Sequence, residues 1–297
     1  MVIVRIFYGL GNQMFQYAAA RRLAHVLGTD LKLDISCFDH WKVFPYGLRA
    51  FNIREDIATP SETAAFNSLS IESWFGKKLF RLKQMLTLRG WTILYENDIR
   101  PVDPRVLNAR GNVYLGGYWQ SEKYFADIAD ILRKEFTVRA APDPKSREIA
   151  ARIRACESVG VHVRRAQLAS AEQRNQTHGP CCSLEYYREC AARIAARVRD
   201  PHFFVFSDEP GWAAENLRFD HPVEFVTHNG EERNYEDLRL MSLCRHQIIA
   251  NSSFSWWAAW LNPNPEKMVF ATRQWLHRDL ERARDLIPAS WILAEHA

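Results

Sequence analysis

Short apolar segments of strand length alternate with longer segments of helical periodicity through the second half of the chain, and this alternation constrains the fold more than any other feature. Parallel neighbours in a sheet need long crossover connections, which are usually helices. The sequence therefore predicts a parallel, doubly wound sheet in this half. The predicted strands cover residues 159–163, 203–206, 223–226, 247–250 and 268–271. The predicted helices cover residues 147–156, 183–198 and 235–244, a short segment after Pro210, and the tryptophan-rich segment that follows residue 251.

The N-terminal half predicts a second unit of the same kind. A strand over residues 2–8, a tight turn at 9–12, a helix that Gly28 ends and a strand over 31–35 form a β-α-β unit. A strand over 113–118 and a helix over 122–135, capped by Ser121, follow. The segment 137–146 contains two prolines and predicts a linker. We expect an N-terminal acceptor-side domain over 1–140 and a C-terminal nucleotide-binding domain over 145–297, whose last helix is able to pack back on the N-terminal domain.

Composition indicates a water-soluble globular protein, because 47% of the residues are hydrophobic and 25% are charged. A net charge of +4 is too small to indicate nucleic acid as a partner. The sequence has no apolar run of about twenty residues and no basic leader before an apolar segment. The six cysteines lack metal-binding spacing, so we expect reduced thiols in a cytoplasmic protein.

The most chemically suggestive strand is the predicted one over 159–163, which is followed directly by two arginines. It brings His162, Arg164 and Arg165 to its carboxyl end, where ligands bind in open α/β sheets. Paired guanidinium groups suit a diphosphate. The alternative is that the arginines are simply solvated.

A second candidate anion site lies at the start of the tryptophan-rich helix. Asn251, Ser252 and Ser253 stand between a strand and this helix, so one of them caps it while backbone N–H groups point outward. Capping alone is the alternative. We expect the tryptophans of this helix to be packing residues, because aromatic stripes at helical spacing usually are; they are Trp256, Trp257 and Trp260.

The Gly9-x-Gly11 turn raises the rival hypothesis of a nicotinamide or flavin enzyme. Asp34 ends the next strand, about where a dinucleotide-binding fold places its ribose-binding acid. Met14 stands where the third glycine of that motif would be, so the motif is incomplete. The neighbouring Asn12 and Gln13 offer side-chain amides, which bind sugar hydroxyls or phosphate oxygens.

Taken in order, four segments resemble the α-1,2-fucosyltransferase family, glycosyltransferase family 11; they are residues 9–16, 158–165, 206–209 and 251–262. The resemblance extends from about residue 1 to about residue 275. It implies an α/β, GT-B-like fold in which two doubly wound Rossmann-type domains face a cleft. It also implies an inverting reaction that needs no metal and no cofactor. The absence of any Asp-x-Asp motif agrees with this, because arginines rather than a cation would stabilise the leaving diphosphate.

The resemblance also implies roles for individual residues. Arg164 and Arg165 would hold the diphosphate with Ser252 and Ser253, while His162 and Asp237 would approach the guanine. Asn12 and Gln13 would reach the fucose or its scissile oxygen. The implied catalytic residues are Arg164, Arg165, Asn12 and His162. The implied donor-binding residues are Gly11, Asn12, Gln13, His162, Arg164, Arg165, Ser207, Asp208, Asp237, Asn251, Ser252 and Ser253. Glu209 forms an acidic pair with Asp208 that matches the family near the nucleotide, and it is nearly as well explained as a polar loop residue.

One departure from the family concerns the general base. The family usually has Gly-Asp after the arginines, whereas this chain has Ala166 and Gln167. Glu172 and His178 are nearby alternatives for a base. Because of this departure, the alternative remains that the protein binds a GDP-sugar without transferring it.

The sequence therefore predicts transfer of L-fucose from GDP-β-L-fucose to the 2-hydroxyl of a terminal galactoside, in bacterial surface polysaccharide or O-antigen synthesis. Another GDP-sugar donor is the main alternative. The segment 73–95 is basic and has an apolar helical face at Phe75, Leu79, Leu82 and Leu86. We favour a surface helix there; the alternative is peripheral contact with the inner membrane, which would suit a lipid-linked glycan acceptor.

Overall fold

The computed structural model describes residues 1–40, 43–67, 90–96, 99, 101–165, 181–275 and 284–295. The chain divides into two compact units. Unit 1 comprises Met1–Arg49 and Ile53–Glu135, and unit 2 comprises Ala50–Asn52 and Phe136–Ala297. The segment 50–52 belongs to unit 2 because Phe51 forms an antiparallel bridge with Val138.

Unit 1 contains a parallel four-stranded sheet in the order β2-β1-β4-β3. Its strands are β1 (Val2–Arg5), β2 (Leu31–Asp34), β3 (Trp91–Tyr95) and β4 (Asn112–Gly116). Its helices are α1 (Leu10–Leu27), α2 (Pro60–Asn67), α3 (Pro104–Asn108) and α4 (Ala129–Glu135). The predicted β-α-β unit is confirmed, and Gly28 ends α1 in the left-handed conformation at φ 60°.

Two predictions for unit 1 need correction. The helix expected over 122–135 is interrupted, because Phe125 has extended φ (−149°) and its ring is buried; two 3₁₀ turns, Glu122–Tyr124 and Ala126–Ile128, precede α4. Ser121 nevertheless caps the first turn, as predicted. The basic segment 73–95 ends in a strand, β3, rather than in a helix. Its apolar positions at 75, 79, 82 and 86 lie outside the described residues.

Unit 2 contains a parallel six-stranded sheet in the order β10-β9-β8-β5-β6-β7. Its strands are β5 (Glu157–Val163), β6 (Pro201–Ser207), β7 (Val223–Val226), β8 (His246–Ile248), β9 (Val269–Thr272) and β10 (Ile292–Ala294). Its helices are α5 (Pro144–Arg154), α6 (Leu184–Ala195), α7 (Pro210–Asn216), α8 (Asn234–Leu243) and α9 (Ser253–Leu261).

The strand order of unit 2 reverses next to β5. From β5 the chain builds outward through β6 and β7 on one side, then returns to place β8, β9 and β10 on the other. The carboxyl ends of β5 and β8 therefore flank a topological switch point, where doubly wound sheets bind ligands. The expected α/β class with two Rossmann-type sheets, as in a GT-B-like fold, is confirmed.

The C-terminal strand β10 was not predicted. It pairs with β9 at the edge of the sheet of unit 2. The last helix expected near the C-terminus is not seen among residues 284–295, and residues 276–283 lie outside the described part of the chain.

The tryptophans of α9 are packing residues, as predicted. Trp256 and Trp257 are fully buried and Trp260 is 5% exposed. The indole nitrogen of Trp256 donates a 2.8 Å hydrogen bond to the Leu286 carbonyl. Over the residues that the structure describes, no helix combines the length and the apolar character needed to cross a bilayer.

Candidate functional site

Arg164 and Arg165 follow the last residue of β5, at the switch point. The end of β5 is held by α6, because the Tyr187 hydroxyl donates a 3.1 Å hydrogen bond to the His162 carbonyl. The adjacent Tyr186 donates in the same way, at 2.7 Å, to the Ile249 carbonyl just after β8. Two neighbouring tyrosines therefore fix both strand ends between which a ligand would lie.

Two carboxylates at the end of β6 position the arginines. The Oδ1 atom of Asp208 accepts a 2.9 Å hydrogen bond from the Arg165 backbone N–H, and its Oδ2 atom lies 3.0 Å from Nη1 of Arg164. The Glu209 carboxylate lies 3.4 Å from Nε of Arg165. The Glu209 N–H donates a 3.0 Å hydrogen bond to the Ser207 hydroxyl. The structure thus brings together four residues that the sequence had placed on two separate strands.

Arg165 is also held by an aromatic ring. Its guanidinium carbon lies 3.5 Å from the centroid of the Trp212 ring on α7. Both arginine side chains keep about a third of their surface accessible, 37% for Arg164 and 33% for Arg165. Since a guanidinium has five N–H donors, these contacts leave donors for an anion.

The start of α9 provides the second part of the site. Ser252 is the N-cap residue, yet its side chain accepts no capping hydrogen bond. The hydroxyl that usually binds the first-turn N–H groups is therefore available to a ligand, and so is the anion-binding end of the helix. Asn251 precedes it, with its Oδ1 atom 4.0 Å from the Cys182 sulfur.

His162 belongs to β5, and its side chain is buried against Phe254 of α9. It is 5% exposed, its ring centroid lies 5.5 Å from that of Phe254, and its Nδ1 atom has no hydrogen-bond partner. Burial, reinforced by the Arg164 charge, lowers the pKa of His162 to about 3. The ring is therefore neutral at physiological pH, so His162 is suited to hydrogen bonding but not to proton transfer.

Asp237 occupies a different part of the sheet edge. It lies in the first turn of α8, after the outer strand β7, and accepts a 2.6 Å hydrogen bond from the Asn229 amide. Burial raises the pKa of Asp237 to about 6. The preceding Glu236 is fully buried and ion-paired with Arg239.

In unit 1, Asn12 and Gln13 lie in the first turn of α1 and differ in their surroundings. Gln13 is fully buried, and its amide binds the backbone of Tyr8, Pro45 and Gly47 at 2.6–2.9 Å. Both of its N–H donors are used, so the structure places Gln13 as a loop anchor rather than as the sugar-binding amide that we expected. Asn12 is half-buried and accepts a 2.5 Å hydrogen bond from Gln120. Gly11 is buried beside them.

The surroundings of Asp34 oppose the dinucleotide hypothesis. Its Oδ1 atom accepts hydrogen bonds from the N–H and the hydroxyl of Ser36, and its Oδ2 atom accepts one from the Tyr114 hydroxyl. Asp34 is 1% exposed. A ribose-binding acid must present its oxygens to the ligand. This carboxylate instead stabilises the interior of unit 1.

Several further features complete the comparison with the sequence. Among the described residues, no group of three or more metal-ligating side chains occurs. Within the described ranges, the cysteines form no disulfide bond with one another. Gln167, Glu172 and His178 lie outside the described residues. Sequence reasoning missed Trp212 and Gln120, because nothing in either local pattern indicates its long-range partner.

The chain is similar to known glycosyltransferases. A family model described as glycosyl transferase family 11 matches residues 1–294. An α-1,2-colitosyltransferase of Escherichia coli is 30% identical over 99% of both chains. The O-antigen biosynthesis glycosyltransferase WbnK of Escherichia coli is 30% identical over 90% of this chain and 92% of its own. The galactoside α-(1,2)-fucosyltransferase 1 of Rattus norvegicus is 29% identical over 84% of this chain and 61% of its own.

Among solved structures, the fucosyltransferase NodZ from Bradyrhizobium aligns with a TM-score of 0.49 at 16% identity, over 88% of this chain and 93% of that one. The match to the family model covers nearly the whole chain and includes all four of the motifs that suggested the resemblance. The chain therefore belongs to glycosyl transferase family 11 and is a glycosyltransferase.

Proposed function

We propose that the protein is an α-1,2-fucosyltransferase that moves L-fucose from GDP-β-L-fucose to the 2-hydroxyl of a terminal galactoside. The observation that carries the proposal is the strand order of unit 2. It places Arg164 and Arg165, which follow β5, on the strand next to β8, and the uncapped start of α9 follows β8. Two guanidinium groups and a helix N-terminus with an available hydroxyl form a suitable site for a diphosphate.

The arginines account for the chemistry without a metal ion. As the bond from the anomeric carbon to the β-phosphate oxygen breaks, negative charge develops on the departing diphosphate. Arg164 and Arg165, already oriented by Asp208, Glu209 and Trp212, would stabilise that charge without reorganisation. Attack by the acceptor hydroxyl from the opposite face would invert the anomeric configuration.

The nucleoside would lie beside the same strand ends. The Nδ1 atom of His162 is buried without a partner and would hydrogen-bond the nucleotide. Asp237 would pair with the N1–H and exocyclic amine of guanine, which are two adjacent donors. Ser207, the last residue of β6, and Asn251, which follows β8, would line the same site.

The biological setting that we propose is O-antigen or other surface polysaccharide synthesis. The similarity to the WbnK glycosyltransferase supports it. The acceptor would be an oligosaccharide or a lipid-linked glycan that ends in galactose. We propose a cytoplasmic enzyme, with peripheral contact at the inner membrane as the arrangement that would suit a lipid-linked acceptor.

A second candidate donor is GDP-colitose. The relative with 30% identity over 99% of the chain is named as a colitosyltransferase. Colitose is fucose without its 3-hydroxyl, so the two donors share the GDP moiety and the anomeric chemistry. A site that hydrogen-bonds the 3-hydroxyl would discriminate between them strongly.

The test combines binding and product analysis. Thermal unfolding is measured with GDP, GDP-fucose, GDP-colitose, UDP and NAD, each with EDTA and with magnesium, because a ligand at a hundred times its Kd adds about 2.7 kcal/mol to the free energy of unfolding. We expect stabilisation by the GDP compounds alone, unchanged by EDTA. Transfer to a galactoside is then assayed, and the new linkage and its anomeric configuration are determined by NMR. Stabilisation by NAD alone, or binding without transfer, would refute the proposal.

A variant pair ties the activity to the site. Arg164→Ala should abolish transfer and weaken GDP binding by about 1.5–3 kcal/mol, the cost of losing a charge-assisted hydrogen bond. Arg245→Ala is the matched control, because Arg245 is ion-paired with Glu157 at the amino end of β5, the opposite edge of the same sheet. Wild-type turnover in Arg164→Ala would exclude the site.

A further inference from the structure

Four aromatic residues of unit 1 form a continuous cluster, which we call the ring cluster: Phe7, Tyr8, Phe44 and Tyr118. Tyr8 and Tyr118 are stacked with centroids 5.7 Å apart and planes at 21°. Phe7 packs edge-on against Tyr118 at 5.4 Å, and Phe44 packs edge-on against Tyr8 at 6.3 Å. All four side chains are half-buried, so the cluster is partly open to a ligand rather than part of the core.

The ring cluster lies at the switch point of unit 1. The sheet order β2-β1-β4-β3 places the segment after β1 beside the segment after β4. Phe7 and Tyr8 belong to the first segment and Tyr118 to the second. These are carboxyl ends of parallel strands on either side of a reversal in strand order, the usual place for a ligand in an open α/β sheet.

The backbone of the cluster is held in an unfavourable conformation. Tyr8 has φ 63° and Trp119, next to Tyr118, has φ 52°, both in the left-handed region that bulky residues avoid. The Glu96 carboxylate accepts hydrogen bonds from the N–H groups of Tyr118 and Trp119 at 3.0 and 2.8 Å. Gln13 binds the Tyr8 carbonyl at 2.6 Å. The strain is therefore supported by buried polar groups, which fix where the rings lie.

An amide pair belongs to the same two segments as the rings, with Asn12 four residues after Tyr8 and Gln120 two residues after Tyr118. Nε2 of Gln120 donates a 2.5 Å hydrogen bond to Oδ1 of Asn12. Gln120 is 6% exposed, and its Oε1 atom is buried with no hydrogen-bond partner. A buried carbonyl oxygen without a partner costs about 1–3 kcal/mol unless a ligand or water satisfies it. With the pair held in this orientation, Oε1 of Gln120 can accept a hydrogen bond from a ligand, and the Asn12 amide can donate one. A single sugar hydroxyl can make both of these bonds.

We propose that the ring cluster and the Asn12–Gln120 amide pair form the binding site for the pyranose ring of the acceptor; this inference rests on the proposed function. The C–H face of a galactoside packs on aromatic rings, and its hydroxyls bond to amides, so the two halves of the site match the two faces of one sugar. The side chains of the rings and the amides are all uncharged, which suits a neutral sugar. The diphosphate binds to the arginines of unit 2.

The test measures acceptor and donor kinetics separately with the full-length enzyme. Methyl β-D-galactopyranoside is varied at saturating GDP-fucose, and GDP-fucose is varied at saturating galactoside. Tyr118→Leu and Gln120→Leu should each raise the acceptor KM by about fivefold or more, since an aromatic contact or a buried hydrogen bond contributes about 1 kcal/mol. The KM for GDP-fucose and the thermal shift with GDP should stay within about twofold of the wild-type values.

Two further variants separate ligand contacts from a general loss of packing. Tyr118→Phe keeps the ring and should keep the acceptor KM close to the wild-type value. Trp91→Leu removes a half-buried ring that packs on Phe66 at the amino end of β3, the opposite edge of the sheet, and should lower the melting temperature without changing the acceptor KM.

The outcomes distinguish this inference from the proposed function. If the wild-type enzyme transfers fucose but Tyr118→Leu and Gln120→Leu leave the acceptor KM unchanged, the acceptor site lies elsewhere and the proposed function stands. A rise in the KM for GDP-fucose instead would assign the site to the donor and overturn the inference. If the wild-type enzyme neither binds GDP nor transfers fucose, the proposed function fails and this inference fails with it.

Discussion

The guanidinium of Arg165 is held between the ring of Trp212, 3.5 Å from its centroid, and the carboxylate of Glu209, 3.4 Å from its Nε atom. A partly exposed arginine normally samples many rotamers, and fixing it on binding costs side-chain entropy. In this protein, the contacts with Trp212 and Glu209 restrict the Arg165 side chain on folding, so the entropy is lost before the ligand binds. Trp212 thus acts as a positioning residue for a group that would contact the diphosphate.

Replacing the ring should weaken nucleotide binding. Trp212→Leu keeps an apolar side chain on α7 but removes the cation–π contact, which contributes about 0.5–2 kcal/mol. We expect the Kd for GDP, measured by calorimetry, to rise by about twofold to thirtyfold, the change that this energy corresponds to. Trp212→Phe, which keeps a ring, should restore most of the affinity. Equal Kd values for Trp212→Leu and Trp212→Phe would show that the stacking has no role in binding.

Asp208 should affect binding and turnover in opposite directions. Its carboxylate orients Arg164 and binds the Arg165 N–H, but it also places negative charge next to a proposed diphosphate site. Asp208→Asn keeps an oxygen for the N–H and removes the charge. With less repulsion, the Kd for GDP should fall slightly, while kcat falls by about tenfold because Arg164 is no longer oriented. A Kd that rises in proportion to the loss of kcat would contradict the orienting role.

His162 should make the free energy of unfolding depend on pH. Its pKa is about 3 in the folded chain and about 6.5 when unfolded, so the unfolded chain binds more protons between these values. The stability contributed by neutral His162 is therefore complete above about pH 6.5 and is lost as the pH falls, by about 1.4 kcal/mol per pH unit.

The measurement compares wild type with His162→Asn by denaturant unfolding at pH 7.5, 6 and 5. The variant lacks this titration but keeps the other groups, so the stability advantage of wild type over the variant should shrink by about 2 kcal/mol between pH 7.5 and pH 5. Parallel curves for the two proteins would show that His162 titrates normally in the folded state.

Local patterns predicted unit 2 well because its strands are buried on both faces and its helices begin at recognisable caps. The strand over 223–226 has the predicted bounds, and α6 begins at Leu184, one residue after the predicted start. The interruption at Phe125 was missed because it depends on burial of that ring against Phe15, with centroids 6.1 Å apart. Strand β10 has three residues, too few for a periodic signal.

The candidate site was likewise predicted only in part. Arg164 and Arg165 could be identified from the sequence because they directly follow β5, and the carboxyl end of that strand lies at the switch point. The role of Gln13 could not be predicted, because it depends on Pro45 and Gly47, which its amide holds. Similarly, the ring cluster joins Phe7 and Tyr8 to Tyr118, about a hundred positions later, and only the strand order brings these segments together.

Two serines at helix starts should respond differently to the same substitution. Ser183 accepts a 3.1 Å hydrogen bond from the Tyr186 N–H in the first turn of α6. Ser252 occupies the corresponding position of α9 but makes no capping bond. Ser183→Ala should therefore lower the free energy of unfolding by about 1 kcal/mol, the usual contribution of an N-cap, whereas Ser252→Ala should change it by no more than about 0.5 kcal/mol.

The same two substitutions should affect nucleotide binding in the opposite way, with the larger effect at Ser252. If the Ser252 hydroxyl donates to a phosphate oxygen, Ser252→Ala should raise the Kd for GDP by about fivefold to tenfold, while Ser183→Ala leaves it within about twofold. Denaturant unfolding and calorimetry on the two variants give both quantities. A large loss of stability in Ser252→Ala, with GDP affinity unchanged, would mean that this serine only stabilises the helix; the anion site would then consist of the arginines alone.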